Sequence, residues 1–372
     1  MRGIEFPSLA GAITKDTTRK MKIAQVAPLY EAVPPRLYGG TERVAAYLTD
    51  ALVELGHEVT LFASGEAETK ATLVPARDQA IRLDPEPLKS DIAAHLAMLA
   101  DVRRRADEFD VIHFHTDLLH FPMFEDIAER TITTLHGRLD LKDLPGVYRR
   151  WTNYPLVSIS DDQRKPISFA NWIGTVHHGL PSELLTFHLR SEGYLAFLGR
   201  ISPEKRPDRA IEIARRCGKP LKIAAKVDNA DRAYWSETIE PMTRAEPLVE
   251  FIGEIGDADK SAFLGGACAL LFPIDWPEPF GLVMIEAMAC GTPVIAFGCG
   301  SVPEVVEPGR TGFIVKDLDE AVEAVNRLNG LRRTEVRRRF EARFSALAMA
   351  RHYLYLYAAV SGCQQHQRKA FA

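Results

Sequence analysis

Two glutamates stand eight residues apart in the segment PEPFGLVMIEAMACGTPVIA, which starts at position 277. Glu278 is flanked by two prolines, each of which fixes its own φ and favours extended geometry in the residue before it, so we place Glu278 in a stiff loop. The pattern then predicts a helix from Phe280 to Cys290, with Gly291 as its C-cap and a buried strand over 294–296. Glu286 lies about two turns into that helix.

The start of this helix adds positive charge beside the two carboxylates. The backbone N–H groups of Gly281, Leu282 and Val283 are predicted to lie in the first turn, where no carbonyl of the helix can accept from them. Such a helix start can hold a phosphate. Glu286 is expected to point near the same end, where it can accept hydrogen bonds from sugar hydroxyls. The segment thus offers a carboxylate, an anion-binding helix start and a second carboxylate.

In this frame of prolines and glycines, Glu278-x7-Glu286 resembles the E-x7-E signature of retaining glycosyltransferases of the GT-B fold, family GT4. The resemblance implies two Rossmann-like domains facing across a cleft, a C-terminal domain that binds a nucleotide sugar and an N-terminal domain that presents the acceptor. In that scheme Glu278 hydrogen-bonds the transferred sugar and Glu286 the ribose. Phe280, Gly281 and Leu282 complete the donor-binding segment.

A second motif, FLGRISPEKR at 197–206, resembles the G-R-x-x-x-x-K element of the same family. Arg200 offers a fork of donors and Lys205 a mobile point charge, and together they can neutralise a leaving diphosphate. Cleavage of the bond to that diphosphate requires its developing charge to be stabilised. Because two cations can supply this stabilisation, we expect neither a metal nor a cofactor. Arg206 departs from the family pattern, where a small residue is usual.

A glycine pair precedes the first predicted helix. Gly39 and Gly40 allow a ligand to approach the backbone closely, and Thr41 is predicted to be the N-cap. The pair resembles the Gly-Gly loop that closes over the donor diphosphate in this family. The chain contains neither G-x-G-x-x-G nor G-x-x-x-x-G-K-[ST], which disfavours dinucleotide-binding and P-loop interpretations.

His136 follows a predicted strand in TTLHGR, and ligands of open α/β sheets bind at that edge. The resemblance implies that His136 contacts the transferred sugar, which makes His136 and Glu278 the catalytic candidates. His113 and His115 alternate on one strand and could form half of a metal site, but no third ligand is evident, so structural or acceptor-side roles are favoured. Asp117 is an acceptor-pocket candidate together with His115.

A Gly-Ser turn follows the predicted strand at 294–296. Gly300 and Ser301 resemble the family segment that flanks the donor site, and their N–H groups are candidates for phosphate binding.

Short apolar runs alternate with helical patterns throughout the chain, which is typical of parallel sheets built from βαβ units. The pattern restarts near position 194 and predicts an α/β protein with two doubly wound sheets in series. The predicted strands are 23–27, 59–63, 111–114, 132–135 and 156–159, then 194–198, 222–225, 249–252, 269–272 and 294–296, with helices at 42–55 and 89–109 in the first half.

Four segments follow from these patterns. Residues 1–20 lack the apolar stretch of a secretion signal and are interpreted as a disordered extension. We expect an acceptor-binding domain at 21–180 and a nucleotide-sugar-binding domain at 181–345. The family resemblance implies that the C-terminal helix and tail, 346–372, cross back toward the first domain.

Composition and net charge limit the classes of binding partner that the sequence predicts. The chain has 372 residues and a net charge of −4, which gives no electrostatic reason for a nucleic-acid partner. No apolar run is long enough to span a membrane. The five cysteines form no C-x-x-C pair, which favours reduced thiols and a cytoplasmic location. Residues 21–180 carry 17 Lys and Arg against 23 Asp and Glu, a net of −6, so contact with anionic lipid is allowed but not indicated.

We therefore expect a retaining hexosyltransferase that uses UDP-glucose or a similar donor and a small-molecule, lipid or glycan acceptor. The segment from Met21 to Gly65 also resembles the UDP-glucose:tetrahydrobiopterin glucosyltransferase type found in cyanobacteria. Acceptor choice varies widely on one scaffold. Two alternatives remain at this stage: a GT-B sugar-nucleotide epimerase and a non-catalytic nucleotide-sugar-binding protein.

Overall fold

The computed structural model describes residues 19–36, 39–86 and 88–370, and these form two compact units. One unit comprises the chain before Leu180 together with the chain from Ala346 onward, and the other runs from Leu180 to Ser345. The predicted extension, 1–20, lies outside the described residues except at positions 19 and 20. No helix within the described ranges combines the length and the apolarity needed to cross a bilayer.

Strands and short helices alternate along both units. The strands are β1 (Lys22–Val26), β2 (Glu58–Ser64), β3 (Thr72–Arg77), β4 (Val111–Phe114), β5 (Thr131–Thr134), β6 (Leu156–Ser158), β7 (Trp172–Thr175), β8 (Tyr194–Arg200), β9 (Leu221–Lys226), β10 (Val249–Gly253), β11 (Ala267–Phe272), β12 (Val294–Phe297) and β13 (Gly312–Val315). The helices are α1 (Gly40–Glu54), α2 (Asp91–Arg104), α3 (Phe121–Phe124), α4 (Leu144–Arg150), α5 (Pro207–Cys217), α6 (Arg232–Tyr234), α7 (Glu240–Ala245), α8 (Asp257–Gly266), α9 (Leu282–Ala289), α10 (Val302–Val305), α11 (Leu318–Asn326), α12 (Arg333–Phe344) and α13 (Ala346–Ala370).

The first unit is built on seven parallel strands in the order β3-β2-β1-β4-β5-β6-β7. β1 pairs with both β2 and β4, with Ile23 opposite Val59 on one side and Val111 on the other. The direction of chain progress across the sheet reverses at β1. In open α/β sheets the carboxyl ends of the strands at such a reversal form the usual binding crevice.

The second unit repeats this plan with six parallel strands in the order β10-β9-β8-β11-β12-β13. Its reversal lies at β8, which pairs with β9 and β11. β8 ends at Arg200, and a single 3₁₀ turn, Pro203–Lys205, follows. The central strands are almost entirely buried, which explains why they consist of continuous apolar runs rather than alternating ones.

The last helix, α13, belongs to the first unit, where it packs on α1 and β4. Tyr353 and Tyr357 of this helix are completely buried there. Leu356 lies against Gly174 of β7, where an added Cβ would come within 3.0 Å of a leucine methyl group. The helix therefore contributes apolar packing and two buried hydroxyl groups to the first unit.

The predicted α/β class with two doubly wound parallel sheets is confirmed, but three strands were missed. β3 contains a proline, β7 has only partly buried residues, and β13 follows a turn rich in glycine and charge. None of the three shows the long apolar run by which the other strands were predicted. The helix predicted at 89–109 is shorter at both ends. It begins at Asp91, because Ser90 caps the first turn of α2 by accepting from the N–H of Ile92, and it ends at Arg104, before a separate 3₁₀ turn at Ala106–Glu108.

Arg333, the first residue of α12, joins several chain segments of the second unit. Its guanidinium donates to the carbonyls of His188, Gly265, Ala267 and Cys290 and to the Thr292 hydroxyl. Gly265 and Cys290 lie at the carboxyl ends of α8 and α9, where unpaired carbonyls and the helix dipole favour a cation. Burial lowers the pKa of Arg333, yet the carbonyls satisfy its donors without any carboxylate.

We predict that Arg333→Met lowers the free energy of unfolding by about 3 kcal/mol, because several buried carbonyls lose a charged donor at once. Urea denaturation measures this change. Arg332→Met is the matched control, since Arg332 is exposed, and it should change stability by less than about 0.5 kcal/mol. Equal effects of the two substitutions would contradict this role for Arg333.

Candidate functional site

The segment that carries Glu278 lies beyond the carboxyl end of β11 and leads into α9. The helix begins at Leu282, two residues later than predicted, because Gly281 adopts a left-handed φ of 80° at its N-cap. A Cβ at Gly281 would lie 2.9 Å from the ring of Phe272 and from the Met284 methyl group. Phe280 is buried in the loop, 2% exposed, rather than helical. At the other end Cys290 is the C-cap, and Gly291, predicted there, is the left-handed residue that follows it.

Glu278 and Lys205 contact each other directly. The Lys205 ammonium donates to Oε2 of Glu278, and the two side chains are 20% and 13% exposed. The same ammonium lies 5.2 Å from the centre of the Trp276 ring, within the range of a cation–π interaction. A residue predicted to hold diphosphate and one predicted to hold a sugar thus meet at one point.

Arg200 lies among carboxylates. Its guanidinium donates to Oε1 of Glu204 at 2.6 Å and lies 3.5 Å from Asp231 and 3.8 Å from Asp228. The side chain is 37% exposed. Both cations assigned to the diphosphate, Arg200 and Lys205, therefore contact acidic groups in this structure.

Glu286 also pairs with a cation, one that sequence reasoning missed. Lys260 of α8 donates to Oε1 of Glu286 at 2.9 Å and lies 3.1 Å from Asp257. The Glu286 side chain is 7% exposed and that of Lys260 is 15% exposed. No motif surrounds Lys260. It reaches Glu286 because α8 packs on α9, and only tertiary structure reveals this contact.

Gly300 and Ser301 hold the Glu278 segment in place. The Ser301 N–H donates to the Glu278 carbonyl at 3.0 Å, and the Ser301 hydroxyl donates to the Phe280 carbonyl at 2.7 Å. Gly300 has φ 58°, and a Cβ there would lie 2.5 Å from the carbonyl oxygen of Glu278. The expectation that Ser301 offers its N–H group to phosphate is therefore wrong, since that group is already used within the protein.

The glycine pair of the first unit opens α1. Gly39 is the N-cap and Gly40 the first helical residue, so the prediction that Thr41 caps this helix is wrong. A Cβ at Gly39 would lie 2.8 Å from Cβ of Pro35, so the chain needs glycine where it enters the helix. No side chain caps α1. Residues 37 and 38, just before the pair, lie outside the described residues.

His136 lies at the carboxyl end of the first sheet, two residues beyond β5. Its Nε2 is 2.8 Å from Nδ1 of His115, and its ring stacks on that of His178 with centroids 5.2 Å apart. Nε2 of His115 is in turn 2.8 Å from Oε1 of Gln25. Gln25 was missed, although a glutamine inside the apolar strand IAQVA is a visible signal of a buried polar contact.

His113 and His115 do not form half of a metal site. Nδ1 of His113 lies 2.7 Å from the Tyr357 hydroxyl and its Nε2 2.7 Å from that of Thr134, so protein groups occupy both ring nitrogens. Across the described part of the chain, no three His, Cys, Asp or Glu residues are arranged to hold a metal ion.

Burial keeps these histidines neutral. Desolvation lowers the pKa of His136 to about 3 and lowers the pKa values of His113, His115 and His178 well below the ordinary value. The pKa of the Asp117 carboxyl is raised to about 6, also by desolvation, and this residue has a left-handed φ of 49°. At neutral pH the edge near His136 thus offers uncharged imidazole groups.

Two family models match the chain, one in each unit. The model described as glycosyltransferase family 4 matches residues 38–162, and the model described as glycosyl transferases group 1 matches residues 188–343. A D-inositol 3-phosphate glycosyltransferase of Mycobacteroides abscessus is 31% identical over 186 residues, which cover 43% of this chain and 40% of that relative. The chain thus spans well under half the length of the curated relatives it matches, 31% in the case of a Streptomyces scabiei enzyme of the same name.

Solved glycosyltransferase structures resemble the chain over most of its length. AviGT4, a glycosyltransferase involved in avilamycin A biosynthesis, is 26% identical with a TM-score of 0.69, covering 92% of this chain and 98% of that one. HepE from Anabaena, solved in complex with UDP and glucose, is 18% identical with a TM-score of 0.68, covering 91% of this chain and all of that one. At that identity the likeness to HepE concerns the fold alone. The predicted GT-B class is confirmed.

We predict that Gly300→Ala destabilises the second unit by about 3 kcal/mol, because the new methyl group must displace the Glu278 backbone in addition to straining φ. Gly218→Ala is the matched control. It has the same φ of 58° and nothing within 4 Å of the added Cβ, so only the strain of about 1 kcal/mol should appear. Urea denaturation separates the two contributions, and equal losses would show that the contact with Glu278 is unimportant.

A second prediction concerns acid stability. At pH 7.5 five histidines whose pKa values are lowered well below the ordinary value in the folded protein, namely His113, His115, His120, His136 and His178, are neutral in both the folded and unfolded states. Below pH 6.5 only the unfolded state gains protons on them, which favours unfolding by roughly 1.4 kcal/mol per histidine at pH 5.5.

The raised pKa values of Asp117 and Glu42 have the opposite sign, because the folded state then binds a proton on these groups first. They are two groups, against these five histidines and the further three with lowered pKa values, His57, His95 and His352. Urea denaturation should therefore show a much lower midpoint at pH 5.5 than at pH 7.5. Midpoints at pH 7.5 and 8.5 should agree. Equal midpoints at pH 5.5 and 7.5 would mean that the histidines titrate normally in the folded protein.

Proposed function

Because the chain belongs to the glycosyltransferases of group 1 and family 4, we propose that it transfers a hexose from a nucleotide sugar to a hydroxyl acceptor, with retention of anomeric configuration. The observation that carries this proposal is the cluster at the carboxyl edge of the second sheet. Three features lie along this edge: the start of α9, the Glu278–Lys205 pair and the Glu286–Lys260 pair.

Each part of a nucleotide sugar has a matching group in this cluster. The N–H groups of Leu282 and Val283 begin α9 and suit a diphosphate, together with the ammonium of Lys205. Glu286 retains a second carboxylate oxygen for ribose hydroxyls, while Lys260 offsets its charge. Glu278 suits a hydroxyl of the sugar. Arg200 supports the diphosphate if the donor displaces it from its carboxylate partners.

The proposed reaction needs no nucleophile from the enzyme. The bond from the anomeric carbon to the diphosphate oxygen breaks as the acceptor oxygen bonds to the same face of that carbon. The acceptor proton passes to the departing phosphate oxygen. Lys205, Arg200 and the start of α9 stabilise the charge that develops on the diphosphate, and we propose that no metal is required.

UDP-glucose is the donor we propose, because the segment from Met21 to Gly65 resembles a UDP-glucose-dependent glucosyltransferase type; HepE, a structure of the same fold, is also solved with UDP and glucose. The acceptor we propose is a neutral small molecule or glycan. Residues 21–180 carry a net charge of −6, and the whole first unit, which adds 1–20 and 346–372, carries 24 Lys and Arg against 25 Asp and Glu, so neither shows the positive excess that would favour an anionic lipid surface. The scarcity and spacing of the cysteines support a cytoplasmic location.

A thermal-shift series with UDP-, GDP- and ADP-glucose tests the donor site. UDP-glucose should raise the melting temperature with or without EDTA. Lys205→Met and Glu286→Gln should each weaken donor binding about tenfold to a hundredfold, the loss expected for one charge-assisted hydrogen bond. Arg244→Met, which alters an exposed ion pair, should leave donor binding unchanged.

Turnover distinguishes the remaining alternatives. Incubation with UDP-glucose and a panel of neutral hydroxyl acceptors should release UDP and yield an α-glycoside, with the anomer identified by NMR. Release of an isomerised sugar nucleotide from protein and donor alone would instead indicate an epimerase. Full donor affinity in Lys205→Met and Glu286→Gln would refute the donor-site assignment.

A further inference from the structure

A cavity of 760 Å³ lies at the amino edge of the second sheet, opposite the edge that carries the candidate donor site. Its walls come from the amino ends of β8, β9, β11 and β12 and from the turn between α11 and α12. Arg190 and Lys219 precede β8 and β9, and Arg332 precedes α12. Because β8 alone spans about 20 Å, this cavity and the start of α9 are separate places on one unit.

The charged groups of this cavity all have the same sign. Arg190, Lys219, Arg332 and Arg333 line it, and the described residues of its walls include no Asp or Glu. Arg333 is already satisfied by backbone carbonyls and by the Thr292 hydroxyl. The other three side chains form no ion pair, hydrogen bond or ring contact with the described part of the chain.

These three cations are exceptions in the second unit. Every other Lys and Arg side chain between Leu180 and Ser345 contacts a carboxylate, a carbonyl, an amide or an aromatic ring. Acidic residues are not scarce there, since this range contains 25 Asp and Glu against 22 Lys and Arg. Cations gathered without a counter-ion repel one another, and a bound anion would offset that repulsion.

The backbone around the cavity is fixed by hydrogen bonds. Arg333 donates to the carbonyl of His188, two residues before Arg190, and to the carbonyl of the first residue of β11. The N–H of Lys219 donates to the carbonyl of Ala214 at the end of α5. The segments that carry the cations are therefore held in place, while the cationic side chains remain available to a ligand.

The start of α12 adds partial positive charge to the same cavity. Arg333 and Thr334, the first two residues of this helix, line the cavity, and no side chain caps the helix. The N–H groups of a first helical turn favour phosphate oxygens. Guanidinium and ammonium groups also bind phosphate, through charge-assisted hydrogen bonds. The charged and partially charged groups of the cavity thus suit one class of ligand, a phosphate.

The remaining walls indicate an organic phosphate rather than a bare ion. The volume is that of a small-molecule site. The amide groups of Asn326 and Asn329 can donate to and accept from hydroxyl groups, and Val325 and Leu328 supply apolar surface. The described wall residues include no aromatic ring on which a nucleobase could stack. These walls therefore favour a phosphorylated sugar over a nucleotide.

We propose that this cavity binds a sugar phosphate, with the phosphate group held by Arg190, Lys219 and Arg332 and the hydroxyl groups held by Asn326 and Asn329. The ligand lies at the opposite edge of the sheet from the candidate donor site. Its binding is therefore independent of the proposed function.

Isothermal titration calorimetry of the full chain, with glucose 6-phosphate as the probe, tests the site. Lys219→Met and Arg332→Met should each weaken binding about tenfold, the loss expected for one charge-assisted hydrogen bond. Lys205→Met at the opposite edge and Arg244→Met in an exposed ion pair are the matched controls, and both should bind the probe as tightly as the unchanged protein. Because Lys219 and Arg332 have no partner among the described residues, their variants should fold normally, which urea denaturation checks.

Thiol labelling locates the ligand by a second measurement. Cys268 lines the cavity, whereas Cys299 follows β12 at the carboxyl edge, and both thiols are free and partly exposed. Glucose 6-phosphate should slow the alkylation of Cys268 by iodoacetamide without slowing that of Cys299, as read by mass spectrometry. The double variant Lys219→Met/Arg332→Met should lose this protection.

Glucose and inorganic phosphate, titrated alongside glucose 6-phosphate, separate the two parts of the ligand. Tighter binding of glucose 6-phosphate than of either, with protection of Cys268, would support the proposal. Equal affinity for inorganic phosphate would overturn the assignment of a sugar. Absence of binding, full affinity in both cavity variants, or protection of Cys299 instead of Cys268 would overturn the site. None of these outcomes bears on hexose transfer, which donor binding and turnover test separately.

Discussion

The candidate donor site depends on the close contact between two backbone segments of the second unit. Residues 277–280 lie directly on Gly300, which has no Cβ to push them away, and Ser301 holds two of their carbonyls. This contact determines where Glu278 faces and where the chain turns through Gly281 into α9. Because the carbonyls are held by N–H and O–H donors rather than by charges, the segment keeps its position whichever ion its side chains bind. The backbone of this segment is thus held by uncharged hydrogen-bonding groups, and the charges of the site lie on side chains.

Those side-chain charges are balanced before any ligand arrives. Glu278 pairs with Lys205, Glu286 with Lys260, and Arg200 lies near three carboxylates. An unpaired charge at such partly buried positions would cost desolvation energy without compensation. In the proposed donor complex a diphosphate would compete with carboxylates for Lys205 and Arg200, which would lower its affinity but also release carboxylate oxygens for sugar hydroxyls. Under the proposed function, the pairing would thus link binding of the phosphates to binding of the sugar.

Features that depend on a local sequence pattern were predicted correctly, whereas features that depend on the packing of distant segments were not. The apolar runs identified ten of the thirteen strands, and the Pro/Gly frame around Glu278 indicated a loop that leads into a helix. The frame did not reveal that Gly281 delays the helix or that Ser301 binds backbone instead of phosphate, because both depend on which segments touch. Lys260 had no signal at all, since it approaches Glu286 from another helix. Gln25 had a signal, because it is a polar residue in a predicted buried strand, but its hydrogen-bond partners lie 90 and 332 residues away in the sequence.

The two units stabilise their partly or fully buried polar side chains in opposite ways. In the second unit, polar groups near the proposed ligand are charged and paired, and their partners can be exchanged. In the first unit, desolvation lowers the histidine pKa values so far that the groups stay uncharged, and hydrogen bonds between neutral groups link His136 to His115 and His115 to Gln25. A given nitrogen of a neutral imidazole can donate or accept a hydrogen bond but not both, so each bond in such a chain constrains the next. Charge suits the binding of an ionic leaving group, whereas directional neutral bonds suit the recognition of hydroxyl groups.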